Sequence, residues 1–405
     1  MTENEVFEND IVDISCDFKS SKLDITQHEI EALKTQYNLA DAHTHQKQRD
    51  EQISIVNSLS ELWYSAETDT QYKSEQEFID AFYSLHGQQS ALKRRDNIYL
   101  VYAASVGMHI TATYLMKHNM RVGLIEPCFD NLHDLLKHMQ IPMSALPESI
   151  FYNEHTIYDN LVKNAIVLDA IVLVDPNNPT GFSLFTNGSE SFLEVVRFCS
   201  DYNKVLILDF SFASFIISSG GVRFDIYEIL ENSGISYISM EDTGKTWPMQ
   251  DAKCSTILPS KDLNDEIYKI VTSVLLNVSP FILKLVTRYV QASAQDGFKT
   301  VRELLDKNRN IVINKLDCGL LQYCKPQINT SVVWFKIKDK RITADMLHDI
   351  LFQKNVYVLS GKFFYWSNPD LGQRYIRIAL ARDTDVFTKS INVIKEVIND
   401  IKYKS

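Results

Sequence analysis

Ala170-Ile171-Val172-Leu173-Val174-Asp175-Pro176-Asn177-Asn178-Pro179-Thr180-Gly181 sets an unbroken apolar run against a turn made of Pro, Asn and Gly. Strict in/out alternation marks a strand wetted on one face. Consecutive apolar residues mark a strand covered on both, as in a parallel sheet held between helices. The same pattern recurs along the chain. Ile98–Tyr102, Val122–Ile125, Val205–Leu208 and Ile235–Met240 read as strands, with helices over Met108–Lys117, Asn131–Met139 and Glu190–Tyr202. Phe78, Ile79, Phe82 and Tyr83 share a helical face upstream. The expected fold class is α/β, with a mostly parallel central sheet flanked by helices. Ligands in such sheets gather at the carboxyl ends of the strands. Ser105, Glu126-Pro127, Asp175, Asp209 and Lys245 all fall there.

The pattern changes after Ser279-Pro280. Helical spacing covers Phe281–Ala294, Val301–Leu316 and Ala344–Gln353. Strand-like runs cover Ser331–Ile337, Tyr357–Leu359 and Tyr375–Leu380, and an amphipathic helix covers Asp385–Ile401. We expect a large domain over residues 51–280 and a smaller α+β domain over 281–405. Residues 1–50 form an N-terminal arm that contributes to the small domain.

Totals narrow the function. With 405 residues, 45% of them apolar, the chain supports a large core and is not a disordered segment. Its net charge of −11, from 41 basic and 52 acidic residues, argues against nucleic acid as a partner. Six scattered cysteines with no CxxC pair read as reduced thiols. The acidic start Met1–Glu5 is no secretory leader, and no apolar run reaches the roughly 18 residues of a membrane span. A soluble cytoplasmic protein with no membrane partner is expected. His43 and His45 lie near Asp41. The preferred reading is an arm near the mouth of the site, with no metal.

Four residues carry chemistry in a telling order: Asn178, then Asp209 ending an apolar run, then Lys245 in Ser239-Met240-Glu241-Asp242-Thr243-Gly244-Lys245-Thr246-Trp247, then Arg377 in Arg374–Leu380. A lysine amine condenses with an aldehyde cofactor, and a buried carboxylate keeps a ring nitrogen protonated. In this order the chain resembles fold-type I pyridoxal-phosphate enzymes, in a divergent branch of the class I/II aminotransferase family, over roughly residues 70–400.

The resemblance implies pyridoxal 5'-phosphate as cofactor, an α-amino acid as substrate and a homodimer. It implies that Lys245 is the Schiff-base lysine, that Asp209 pairs with the ring nitrogen and that Asn178 donates to the phenolic oxygen. Ala104 and Ser105 would cradle the phosphate, Phe129 would stack on the ring, and Arg377 would clamp the substrate carboxylate. Tyr72 would reach the phosphate of the partner subunit. Three positions depart from the family. Lys253 stands where an Arg usually meets the phosphate, and Phe212 where a Tyr often donates. Asp242 replaces a hydroxyl, so its carboxylate either turns from the phosphate or serves another role. The segment Glu241–Pro248 looks more like replacement and cyclisation enzymes such as capreomycidine synthase. Two alternatives to transamination therefore stand: elimination, replacement or cyclisation of a hydroxylated amino acid, and a fold relative without catalysis.

Overall fold

The computed structural model describes residues 24–129, 131–186 and 188–403. The start at Met1–Glu5 and Cys16 lie outside the described residues.

Seven strands form the large sheet. Across it run Tyr99–Val101, Ser255–Pro259, Tyr237–Asp242, Val205–Phe210, Ala170–Val174, Val122–Glu126 and Met143–Pro147. The last five pair in parallel. Ser255–Pro259 runs against both of its neighbours. Every residue of Ala170–Val174 and Val205–Phe210 is buried, as two covered faces require. The sheet is therefore mostly parallel, as the apolar runs imply.

Three expected helices end one residue early, at His138, Asp201 and Phe352, and others lengthen. The one after Val101 starts at Ala104 and runs to Lys117. Pro280–Asp296 packs against Gln71–Leu85 and Leu59–Thr68. Met143–Pro147 and Ser255–Pro259 are strands beyond those the pattern marked, because Ser and Pro break their short apolar runs. The Tyr357–Leu359 run divides in two. Val356–Tyr357 pairs in parallel with Tyr37–Asn38, while Leu359–Ser360 joins Tyr375–Ala379. The latter belongs to a four-stranded antiparallel sheet with Val332–Ile337 and Leu321–Cys324. The arm reaches this region through Tyr37–Asn38 and through the helix Ile25–Ala32, whose Ile25 and Ala32 pack with Trp334, Leu359 and Phe364.

Register aligns the chemistry. Asp209 lies opposite Val174 on one side and Met240 on the other, so Asp209 and Asp242 reach the same sheet edge. The neck between Asp242 and Ser255 is closed by Thr243, whose N–H and hydroxyl both donate to the Cys254 carbonyl, at 3.1 and 2.8 Å. Lys245 and Lys253 sit on the two shoulders of the loop that this neck closes.

Among the described residues no helix is long and apolar enough to cross a membrane.

Candidate active site

A cavity of about 250 Å³ opens at the carboxyl edge of the large sheet. Its lining includes Ala104, Ser105, Phe129, Asn178, Asp209, Phe212, Lys245 and Lys253 of the residues singled out in the sequence. The helix starting at Ala104 points its first turn at this space, after Ala103 in extended conformation. The leading N–H groups of a helix lack intrahelical acceptors and carry positive potential, which suits an anion.

Asp209 is buried, and burial pushes its carboxyl above the ordinary range; hydrogen bonds from Ser211 oppose the shift. Both bonds go to Oδ1, from Ser211 N at 2.9 Å and Ser211 Oγ at 2.5 Å, which fixes the group at the wall. Burial also raises Asp242, against the nearby charges of Lys245, Lys253 and His43. Asp242 Oδ2 accepts from Gly244 N at 3.2 Å, while the buried Oδ1 has no partner. Asp242 does not turn away; it lines the cavity.

Lys245 Nζ lies 3.1 Å from His43 Nε2 and 5.9 Å from the centre of the Phe129 ring. Lys253 Nζ is also 3.1 Å from His43 Nε2. Behind His43 stands Asp41, whose Oδ1 is 2.6 Å from His43 Nδ1 and whose Oδ2 is 2.5 Å from His45 Nε2. Burial works against the Asp41 charge, but the bonds from the two histidines outweigh it and hold the carboxyl well below the usual range. With Asp41 as acceptor, the His43 proton belongs on Nδ1, so Nε2 presents its lone pair to the lysines.

Arg377 is fully buried beside the cavity. It donates to Asn178 Oδ1 at 3.2 Å, to Glu29 Oε1 at 2.9 Å and to the Ala40 carbonyl. Glu29 and Thr26 come from the arm helix and line the cavity. Tyr72 is not brought to this space. It is 61% exposed, and its hydroxyl donates to Asp96 at 3.2 Å.

Glu29 and Thr26 escape sequence reasoning, and His43 stands out there only through its neighbours Asp41 and His45. Their signal is tertiary: a polar arm carries no apolar period that fixes where it docks.

The donor set fits pyridoxal phosphate. A buried carboxylate, a lysine amine, a helix start beside a second lysine, and the apolar walls Phe129, Val174 and Phe212 converge on one cavity. Residues 45–394 match the model of the aminotransferase class I and II family. The aspartate aminotransferase of Sulfolobus acidocaldarius is 21% identical over 245 residues, 57% of this chain and 56% of that protein, so the chain spans little more than half the length of this curated relative. The structure of MppP soaked with the product 2-ketoarginine superposes with a TM-score of 0.81 at 29% identity, covering 89% of this chain and 99% of that one. LysN, an α-aminoadipate aminotransferase from Thermus thermophilus, gives 0.77 at 12% identity over 95% and 96% of the two chains, and shares the fold. The chain belongs to the aminotransferase class I and II family, and pyridoxal phosphate is its cofactor.

Proposed function

We propose that this enzyme converts an α-amino acid with a cationic side chain, of the arginine type, into the corresponding 2-keto acid. The observation that carries the reading is the unpartnered Asp242 carboxylate oxygen, buried in the same cavity as Glu29 and Lys245. A buried carboxylate oxygen without a donor is costly, and a guanidinium supplies the donor that Oδ1 lacks. The likeness to MppP, whose product is 2-ketoarginine, supports the same substrate class.

When bound, the cofactor supplies an electron sink for the pair released at the substrate Cα. The chain does the rest. Lys245 Nζ would be the attachment point for the cofactor and the base that takes the Cα proton. His43 Nε2, 3.1 Å from Lys245 Nζ, is placed to relay that proton, while Asp41 holds the imidazole in the required tautomer. Asp209 would keep the ring nitrogen protonated, and Asn178 would donate its amide to the phenolic oxygen. The first turn from Ala104 and Ser105, with Lys253, would hold the phosphate. Phe129 would cover the ring and exclude water. Arg377 exchanges Glu29 for the substrate α-carboxylate and so orients the Cα–H bond.

Arginine incubated with the holoenzyme and 2-oxoglutarate, which takes up the amino group as glutamate, should yield its 2-keto acid by mass spectrometry. Keto acids arising from neutral amino acids alone would reject the substrate class. Asp242→Asn should lower kcat/KM for arginine about 100-fold, the cost of losing one partner of a buried charge pair, with a neutral amino acid nearly unaffected. An equal loss on both substrates would assign Asp242 to the cofactor instead.

A hydroxylated arginine fits the same charges, which keeps elimination with replacement or cyclisation as the second reading. Product formed without any amino acceptor supports it, whereas glutamate formed from 2-oxoglutarate supports transamination.

We further propose a cytoplasmic homodimer. Trp63 and Phe281 pack at 5.5 Å, Ser279 N donates to the Tyr102 hydroxyl, and Leu276 is 95% exposed close by in the chain. An exposed apolar patch of this kind suits a second copy. A monomer in sedimentation velocity would reject the dimer.

A further inference from the structure

The segment from Asn38 to His45 carries Asp41 and His43, yet it belongs to no strand or helix beyond Asn38 itself. Main-chain bonds hold Leu39, to Tyr357 and Ala379, and His45, to Ala381, and Arg377 holds the Ala40 carbonyl; one further side chain takes the carbonyls of residues 38, 41 and 43. Arg382, 5% exposed, follows the strand Tyr375–Ala379 and fans its guanidinium into this arc. Nε donates to the Asn38 carbonyl at 2.7 Å and Nη2 to the Asp41 carbonyl at 2.6 Å. Nη1 donates to the carbonyls of His43 and Ala381, both at 2.9 Å. All four acceptors are main-chain oxygens. Among the described residues no carboxylate lies within ion-pairing distance of Arg382. The carboxylates of Asp41 and Glu29 act on this charge only from beyond contact, and burial still works against it, so its retention points to a geometric task. Only a rigid planar fork addresses carbonyls of residues 38, 41 and 43 at once; an ammonium on a flexible stem does not.

We propose that Arg382 is a positioning residue, clamping the main chain of residues 38–43 so that the His43 imidazole meets Lys245. The proposal rests on the role given to His43 above. The clamp acts together with Asn38, whose side-chain oxygen accepts from Ala40 N and Asp41 N. Asp41 is thereby fixed through both its carbonyl and its carboxylate, since its Oδ1 also accepts from His43 N at 2.8 Å. On the far side, the Thr44 hydroxyl donates to the Trp247 carbonyl at 2.7 Å and ties the arc to the loop of Lys245.

A double-mutant cycle on the holoenzyme tests this. His43→Gln should slow turnover about 100-fold, the scale of a lost proton-transfer group. Arg382→Lys should slow it about 10-fold or more through misplacement. The double variant should be no slower than His43→Gln beyond about 2-fold, because both changes remove one unit. Independent, multiplying losses would overturn the proposal. In the cofactor-free protein, hydrogen exchange over residues 38–45 should quicken in Arg382→Lys while residues 237–242 stay protected; unchanged exchange over 38–45 would also overturn it. If Arg382→Lys does not fold, Asn38→Ala loosens the same arc with the buried charge kept, and its losses must likewise fail to multiply with His43→Gln. Wild-type turnover in His43→Gln alone would instead remove the role of His43, a separate result.

Discussion

Lys245→Ala should abolish the visible absorption of the reconstituted enzyme that borohydride fixes to the protein, and should cut turnover by about 10⁴-fold or more. Two functions leave together: the covalent anchor and the base at Cα. The choice of lysine is a real question here, because Lys245 and Lys253 both lie 3.1 Å from the same His43 nitrogen. Two observations favour Lys245. It stands over Phe129, and Lys253 is engaged by Asp251 at 3.1 Å. Peptide mapping after reduction decides. Cofactor mass on the peptide of Lys253, in either the wild type or Lys245→Ala, would transfer the anchor to the opposite shoulder of the loop.

Asp209→Asn should reduce turnover about 1000-fold, on the scale of removing one preorganised electrostatic group from a reacting centre. The amide keeps an oxygen for both Ser211 bonds, so geometry is spared while the charge is lost. Stability should move the other way in the cofactor-free protein. Burial raises the folded pKa of Asp209 above its unfolded value. The folded state therefore holds the proton over a range where the unfolded state has released it, and stability is lost as pH rises through that range. Asn does not titrate. Its melting temperature relative to wild type should thus be higher at pH 8 than at pH 4. A variant that loses stability equally at both would show that Asp209 is ionised without the cofactor. Titrating in pyridoxal phosphate should then reverse the order, because only the carboxylate gains a partner in the ring nitrogen.

Legibility in the sequence followed burial. Strands covered on both faces leave continuous apolar runs, so the strand ends that carry Asp209 and Asn178 were readable to within a residue or two. Glycine and proline marked the turn after Val174. Gly181 shows why: at φ +68° a side chain is strained, and a Cβ would meet the Ile328 carbonyl at 2.5 Å. Ser255–Pro259 left no such trace, since a short reversed strand needs few apolar residues. The arm was least legible. Glu29 meets Arg377 across 348 positions of sequence, and His43 meets Lys245 across 202. No local period encodes contacts of that span. Asp242 lay between these cases. Its departure from the family was plain in the sequence, but its direction depended on packing around Gly244 and Lys253.

The closed neck at Thr243 and Cys254 has a consequence for how this loop can vary among relatives. Lys245 and Lys253 are eight positions apart, yet their separation in space is set where the two antiparallel strands are pinned together, not by the contour between them. Gln250 and Asp251 form an exposed tip with positive φ, the kind of place where chains accept extra residues. Lengthening there adds slack beyond the pins and leaves both amines in register. An insertion at this tip should therefore leave Lys245 and Lys253 at the same separation, whatever the number of residues between them.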